Sequence, residues 1–447
     1  MNLTDIFVHT LFTLNCRPLP QNVEEEARRC LLDEVGVIFA GAKQLEEKLG
    51  AYLDLFSGDD ATVIGMNRRA SLQNAALVNG ISGHALDFDD SHRFSTVHLG
   101  STIIPAVLAV AEKEDLTMAQ VLRGIVIGYE AAVRMGNCIQ PNHRTRGFHS
   151  SGTVGTIGAT MGVAAALGFN KEQFKSALSS ACSSAAGILE MMNDASTMKP
   201  YNAGRAAHDG ITAAYMARVG FQGPDDCLGG DFGFIKTACE KYKPEVLSLE
   251  TDDNFNITGT YHKPYASCRH THGAVFAAIR AVNDNGVDWR HITNIDVRMY
   301  GQGVKGHDHT DIPSTVAAKM STPFCIALAL KTGKIGISSF TDEFVKDPEI
   351  LALTKKVVVT ADEEMTSFVP KKRMARITIT TDDGTKYPFQ ADYALGEPEL
   401  PMSHEDFRTK ILELAASAGR NEADTLEVIE KAMSFTGKAS EFIKLLA

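Results

Sequence analysis

With 447 residues, the chain is longer than one simple core, and at roughly 100–200 residues per domain it implies two or three domains. Its 44% hydrophobic and 22% charged residues are those of an ordinary soluble globular protein, and no apolar run reaches the length of a membrane span. The net charge of −11 argues against a nucleic-acid partner, which requires a concentrated basic surface.

The opening MNLTDIFVHTLFTLNC has no basic n-region and no small-residue cleavage site, so a helix is expected there and not a signal peptide. Eight cysteines (Cys16, Cys30, Cys138, Cys182, Cys227, Cys239, Cys268, Cys325) stand singly with no CxxC pair. That usage fits a reducing, cytoplasmic compartment and offers no cysteine zinc site. Asn22 followed by Glu24 and Glu25 predicts a helix start, and Ala27, Leu31, Val35 and Ile38 supply its buried stripe. A further helix is expected over 45–56, and ATVIG at 61–65 reads as an isolated strand or extended link.

SLQNAALVNGISGHAL and STIIPAVLAVAEK predict two helices on either side of a polar loop. Thr117 and Gln120 form a capping-box pattern ahead of a long apolar helix to about Cys138. In SSGTVGTIGATMGVAAALG, Gly152, Gly155, Gly158 and Gly162 fall on or near one helical face. Glycine weakens a helix, so four of them predict close helix–helix contact. Asn170 ends that segment, KEQFKSALSSACSSAAGIL begins another helix, and after KPYNAG the run RAAHDGITAAYMARVG is helical up to Gly220. Residues 1–264 thus read as one nearly all-helical domain.

From 265 to 396 the pattern is α+β. HITNIDVRMYG and the end of VKDPEILALTKKVVVTAD carry β-branched alternation, and MARITITTDDGTKYPFQADYAL predicts a hairpin turning at Asp383-Gly384. Helices are expected between them at 272–285 and about 314–332. GEPELP (396–401) breaks the chain, and helices at 404–417 and about 421–434 lead residues 397–447 back to the helical domain. The fold class is therefore mainly α with a smaller α+β second domain.

Polar residues gather in a few islands. The stretch Gly83–Pro105 carries His84, Asp87, Asp89, Asp90, Ser91, His92 and His98, where acids and histidines perturb one another. RGFHSSGT sets His149 before the glycine-rich helix, whose N-terminal amides suit an anion. TMKPYNAGRAAHDG sets Lys199 just ahead of a helix start, as a solvated end or a carboxylate anchor. HKPYASCRHTHG (262–273) concentrates Lys263, Arg269 and His272 at the expected domain boundary, and that much positive charge in an acidic protein implies an anionic ligand. GQGVKGHDHTD (301–311) matches G-x-G-x-x-G, but a polar loop ending in proline follows it where a dinucleotide site needs a helix. His84, Asp87, Asp89, His92 and His98, or His307 and His309, are a competing metal reading, although no ligand-specific spacing appears.

In order and spacing, HALDFDD, VHLGS, GFHSSGT, KPYNAGRAAHDG, KPYASCRHTHG and GEPELPMS resemble the MmgE/PrpD family across almost the whole chain. Its members include 2-methylcitrate dehydratases, cis-aconitate decarboxylases and iminodisuccinate epimerases. The resemblance implies a helical domain that recovers the last helices, an inserted α+β domain, an active site between the domains, a homodimer, and neither metal nor organic cofactor. It carries the family's active-site residues onto Asp87, Ser91, His98, His149, Lys199 and Lys263, with His272 nearby; from the charge of the 262–273 island, Arg269 and His272 are the expected substrate-binding residues. Ser91 stands where dehydratases and decarboxylases usually have Thr, as in epimerase-like members. Asn202 replaces a common His, and Phe324 a Tyr of some decarboxylase-type members.

The shared chemistry makes or consumes a carbanion-like centre beside a carboxylate. Lys199 and Lys263 are the expected clamp, and His98 or His149 the base. Asp87 is expected to orient an imidazole, and Ser91 to hold a carboxylate or hydroxyl of the substrate. A 2-methylcitrate dehydratase-like hydro-lyase acting on a small polycarboxylate is the leading expectation. A decarboxylase or epimerase of the same family is the alternative. A metal-dependent hydrolase and a non-catalytic carboxylate-binding protein are the rivals from other classes.

Overall fold

The computed structural model describes residues 1–192, 196–249 and 254–447. They form two compact units, one of Met1–Thr260 with Leu414–Ala447 and the other of Tyr261–Glu413.

The first unit is helical. Its elements are α1 (Leu3–Cys16), α2 (Gln21–Gln44), α3 (Glu46–Leu53), a β1 (Ala61–Val63) and β2 (Arg68–Ala70) hairpin, then α4 (Leu72–His84), α5 (Gly100–Lys113) and α6 (Met118–Ile139). A short α7 (Asn142–Thr145), α8 (Ser150–Ala166), α9 (Lys171–Ser184), α10 (Lys199–Arg218) and α11 (Phe234–Ala238) follow. ATVIG is therefore no isolated strand: Ala61, Thr62 and Val63 pair antiparallel with Ala70, Arg69 and Arg68. The sequence conceals the partner because two arginines fill it, and they reach out to Asp54, Asp59 and Glu112.

Local chemistry starts the helices where side chains can satisfy the first amides. Thr117 and Gln120 form a reciprocal capping box on α6, and Asn170 with Gln173 forms another on α9. Each cap is worth about 1 kcal/mol. At the centre lies α8, with every residue from Ser150 to Ala166 buried. Its glycines let backbones touch. A Cβ on Gly158 would sit 3.0 Å from Gly128 O of α6, and one on Gly162 would sit 2.9 Å from Gly124 O. On another side Gly204 brings α10 against α4, since a Cβ there would stand 2.2 Å from Leu77 O. The tail closes on the same unit: Arg28 donates to the carbonyls of Ala432 and Phe435, and Gly65 N donates to Leu446 O.

The second unit carries α12 (His272–Asn283) and a mixed sheet of β3 (Ile292–Met299), β4 (Val357–Ala361), β5 (Ala375–Thr381) and β6 (Lys386–Ala391), in the order β4-β3-β5-β6. β3 and β4 run parallel and the other pairs antiparallel. One face is apolar: Ile295, Val297 and Met299 alternate with exposed residues, and Ala375, Ile377 and Ile379 do the same on β5. A register shift between Ile292 and Asn294 keeps Ile292 on that face. The expected helix at 314–332 is two helices, Thr315–Met320 and Thr322–Thr332, with Ser321 capping the second. Residues 397–413 group with this unit, where the sequence suggested the helical domain: Arg269 pairs with Glu397, and the Phe407 ring lies 4.8 Å from that of His262.

Candidate active site

Between α4 and α5 the chain folds into a loop held by its own polar groups. Ser91 Oγ donates to Val97 O at 2.8 Å, and the backbones of His92 and Val97 bridge. Asp90 accepts from Gly100 N at 2.8 Å and from Tyr129 OH at 2.7 Å, tying the loop to the start of α5 and to α6. Asp87 adopts φ +52°, a left-handed conformation that Asp tolerates better than most residues.

Under this loop, two imidazoles share one carboxylate. His84, the last residue of α4, places Nδ1 2.9 and 3.1 Å from the two oxygens of Asp89. His98 Nδ1 lies 3.2 Å from Asp89 Oδ2, off the line of a hydrogen bond. Ser101 Oγ, in the first turn of α5, donates to that same oxygen at 2.8 Å. Asp89 is fully buried, which alone would push its carboxyl up, but the histidines and their donated hydrogen bonds hold it well below the usual carboxylate range. The carboxylate bonded to His84 Nδ1 fixes the proton on that nitrogen and leaves Nε2 bare, and at His98 the nearer approach of Asp89 to Nδ1, 3.2 Å against 3.8 Å for Asp87 at Nε2, favours the same tautomer. Burial keeps His84 neutral, with a pKa lowered to about 4 against the pull of Asp89. His98 is the outer member: its side chain is 16% exposed, its ring centroid is 4.4 Å from that of His84, and its Nε2 is 3.8 Å from Asp87 Oδ1.

His149 has the opposite tautomer. It precedes α8, with its N–H donating to Gly187 O, and its Nδ1 accepts from Asn202 Nδ2 at 2.9 Å. An acceptor at Nδ1 puts the proton on Nε2. Burial, followed by the charges of His84, Lys199 and His98, lowers its pKa to about 2. His149 is thus a neutral donor. Lys199 is the first residue of α10, which starts there and not after KPYNAG because proline is tolerated in a first turn. Its Nζ lies 2.9 Å from Asp87 Oδ1.

Asp87, His98, His149 and Lys199 therefore meet around one spot. Ser91 does not join them by its hydroxyl proton, which closes the loop on Val97 O. The carboxylate set against the Nδ1 atoms of both histidines is Asp89, bonded to His84 and 3.2 Å from His98; Asp87 pairs first with Lys199. Sequence reasoning named His84 and Asp89 only as possible metal ligands and Asn202 only as the replacement of a common His, and gave none of the three a catalytic role. The first two lie in the island it marked, but which of three neighbouring acids turns inward depends on the left-handed turn at Asp87. Asn202, three residues after Lys199, shares a helical face with it.

Lys263, Arg269 and His272 belong to the second unit, and all three are buried. Arg269 pairs with Glu397 and stacks over Tyr261, with its guanidinium 4.8 Å from the ring centroid. His272 Nε2 donates to Ser267 O at 3.1 Å, and burial beside Arg269 and Lys263 keeps the ring neutral. Phe324 is fully buried, on the helix Thr322–Thr332. The G-x-G-x-x-G run forms one four-residue turn, Gly301–Val304, after β3.

Among the described residues, His84, Asp87, Asp89 and His98 bring one potential ligand atom each within 4.8 Å of one another. His84 is already hydrogen-bonded to Asp89, and the Lys199 ammonium already pairs with Asp87 at 2.9 Å. The donor set fits a hydrogen-bonded proton site better than a metal centre.

Among the described residues, no helix is long and apolar enough to cross a membrane. The model of the MmgE/PrpD N-terminal domain matches residues 6–247, and that of the C-terminal domain matches 265–434. The chain is 27% identical over 431 residues to the cis-aconitate decarboxylase of Mus musculus, covering 92% of this chain and 86% of that protein. It is 24% identical over 443 residues to the cis-aconitate decarboxylase of Aspergillus terreus, covering 93% and 89%. A cis-aconitate decarboxylase-like protein of Aspergillus oryzae is 25% identical over 475 residues, covering 100% and 97%. With both domains matched over most of its length, the chain belongs to the MmgE/PrpD family and is an enzyme of the lyase class.

Proposed function

We propose that this enzyme works on a small tricarboxylate without a cofactor, by moving a proton at the carbon next to a carboxylate. The observation that carries the reading is the pair of opposite tautomers. Asp89 leaves His98 with a bare Nε2, a base, and Asn202 leaves His149 with an Nε2–H that donates without ever becoming a cation. A neutral imidazole donor is suited to negative charge that develops on a carboxylate. Lys199 supplies the cation, and Lys263 with Arg269 is the further cationic pair we assign to substrate carboxylates.

In a hydro-lyase step, His98 Nε2 takes the carbon-bound proton and the electron pair becomes the new C=C bond. The hydroxyl leaves with a proton from the Lys199 ammonium, and the Asp89 carboxylate stabilises the imidazolium of His98. A 2-methylcitrate-type dehydration is the reading we favour. The names of the relatives favour a second one, decarboxylation of cis-aconitate. There the C–C bond to CO₂ breaks, and protonated His98 returns a proton to carbon. Eight free cysteines support a reducing, cytoplasmic setting, and a homodimer is the assembly we expect, checked by light scattering.

The deciding experiment offers the purified enzyme 2-methylcitrate, citrate, cis-aconitate and iminodisuccinate in deuterated water. An alkene without CO₂ identifies the hydro-lyase, CO₂ release identifies the decarboxylase, and label entering without net reaction points to an epimerase. No turnover and no exchange with any of them would leave a carboxylate-binding protein.

A further inference from the structure

His84 has no part in the chemistry above, and three observations argue that it is more than packing. It is 1% exposed, in the last turn of α4, whereas the side chain of its neighbour His98 is 16% exposed. Its Nδ1–H bridges both oxygens of Asp89, which fixes the plane of that carboxylate. Among the described residues its buried Nε2 has no hydrogen-bond partner. A buried nitrogen left without a protein donor is a cost that a purely structural side chain at that place would avoid.

We propose, resting on His98 as the base, that His84 is a positioning residue: its Nδ1–H pins the Asp89 carboxylate and shares its charge, leaving His98 as the one imidazole of the pair that carries the proton. Two donors already bond Asp89, the His84 ring and Ser101 Oγ, and the His98 ring approaches the same carboxylate at 3.2 Å. Each hydrogen bond that Asp89 accepts makes it a weaker partner for the imidazolium that forms at His98. His84 is therefore a brake on the basicity of His98 as well as a strut. Two charged imidazoles with centroids 4.4 Å apart would repel, so a fully buried partner that stays neutral assigns the charge to the outer ring.

The surroundings agree. The pair faces Asp87 and Asp89 on its own loop, His149 before α8, Lys199 on α10, and Glu34 of α2, whose carboxylate lies beside Gly83 and Gly100. Lys199 disfavours a second cation at His84, and Asp87 lies 3.8 Å from Nε2 of the outer ring.

The test uses the whole enzyme labelled with ¹⁵N-histidine, and two variants. In the wild type, His84 is expected to be neutral and Nδ1-protonated from pH 5 to 9. A spectrum showing it Nε2-protonated, or titrating in that window, overturns the proposal. H84F keeps the ring and loses the donor, whereas H84N keeps an amide donor near the Nδ1 position. With H84F the acid limb of the kcat/KM profile should move up by about 0.5–1 pH unit, with kcat falling more than KM changes. H84N should bring the limb back toward the wild type. A limb that stays put in folded H84F, or moves equally in H84N, makes His84 a core residue only. If no carboxylate is turned over, the base assignment fails separately. The ¹⁵N titration midpoint of His98 in H84F and wild type then decides: an upward move supports the pinning, and no move overturns it. Should H84F not fold, the wild-type spectrum still decides.

Discussion

Lys199 Nζ and Asp87 Oδ1 lie 2.9 Å apart, joining the first residue of α10 to a loop residue in a left-handed conformation. The Asp87 side chain is 43% exposed, so the pair adds little to stability, and surface pairs are typically worth about 0–1 kcal/mol. Its value is placement: the ammonium is parked beside His98 and His149 without being neutralised by a buried partner.

Asp87→Asn keeps the left-handed turn, since Asn tolerates positive φ, and removes only the charge. Lys199 then keeps a neutral acceptor and loses its charged partner, and we expect kcat/KM to fall ~10–100-fold with a thermal midpoint within a few degrees of wild type. Lys199→Ala should lower kcat and raise KM together, and Lys199→Arg should restore only part of the loss, because a planar fork does not replace a point charge. Steady-state kinetics on whichever tricarboxylate is turned over checks both. Full activity in Lys199→Ala would remove the clamp from the mechanism.

The tautomers give a second prediction. His98→Gln should abolish solvent deuterium exchange at the substrate carbon, with a ~10²–10⁴-fold loss of kcat. Asn202→Asp is more discriminating. A carboxylate at His149 Nδ1 would draw the proton to that nitrogen and strip it from Nε2, reversing the donor while leaving the volume almost unchanged. A loss of ~10²-fold or more is expected, together with a His149 that now titrates well above its present pKa of about 2. An Asn202→Asp enzyme with normal kcat would mean that the Nε2 proton of His149 is not used.

Much of this arrangement is legible in the sequence, and the parts that are not share a cause. The capping boxes, the glycine face of α8 and the Asp383-Gly384 hairpin depend on neighbours within a few residues, so local chemistry announces them. The cluster of acids and histidines between α4 and α5 is visible for the same reason. What depends on contacts distant in sequence stays hidden. Arg68 and Arg69 disguise a strand whose pairing with β1 satisfies the backbone while the side chains reach solvent. Asn202 looks like one polar residue in a helix until α8 brings His149 against it. Ser91 reads as a substrate ligand in a list of polar residues, yet its proton is committed to Val97 O.

Two helical glycines separate packing from propensity. A Cβ on Gly158 of α8 would meet Ala132 Cβ and Ile103 Cδ1 at 2.9 Å and Gly128 O at 3.0 Å. Gly50 of α3 has nothing nearer than the tip of Arg68 at 3.8 Å. Ala gains up to ~1 kcal/mol over Gly in a helix interior, so Gly50→Ala should stabilise by about 0.5–1 kcal/mol. Gly158→Ala should lose that gain and more, by about 1–3 kcal/mol net, because α6 and α5 must move apart. Urea denaturation of both variants checks the pair. A stabilised Gly158→Ala would show that the α6–α8 contact yields easily.

The buried neutral histidines also set how stability follows pH. His84 and His149 have folded pKa values lowered to about 4 and about 2, mainly by burial, against about 6.5 in the unfolded chain. Between those limits the unfolded chain binds a proton at each residue that the folded one does not. Stability from these groups is therefore complete above about pH 6.5. It falls as the pH drops below that value, until about 4 for His84 and lower still for His149, with a slope of about 1.4 kcal/mol per pH unit for each. The carboxyl of Asp89 is also lowered, but its loss sets in below its ordinary value near 4, outside a measurement made between pH 7.5 and 5. Urea unfolding across that range should show stability dropping with acid, and His149→Gln should flatten the slope by about one proton. A wild-type stability that stays level from pH 7.5 to 5, or a slope unchanged in His149→Gln, would mean that His149 is protonated in the folded enzyme. Its role as a neutral donor would then be lost.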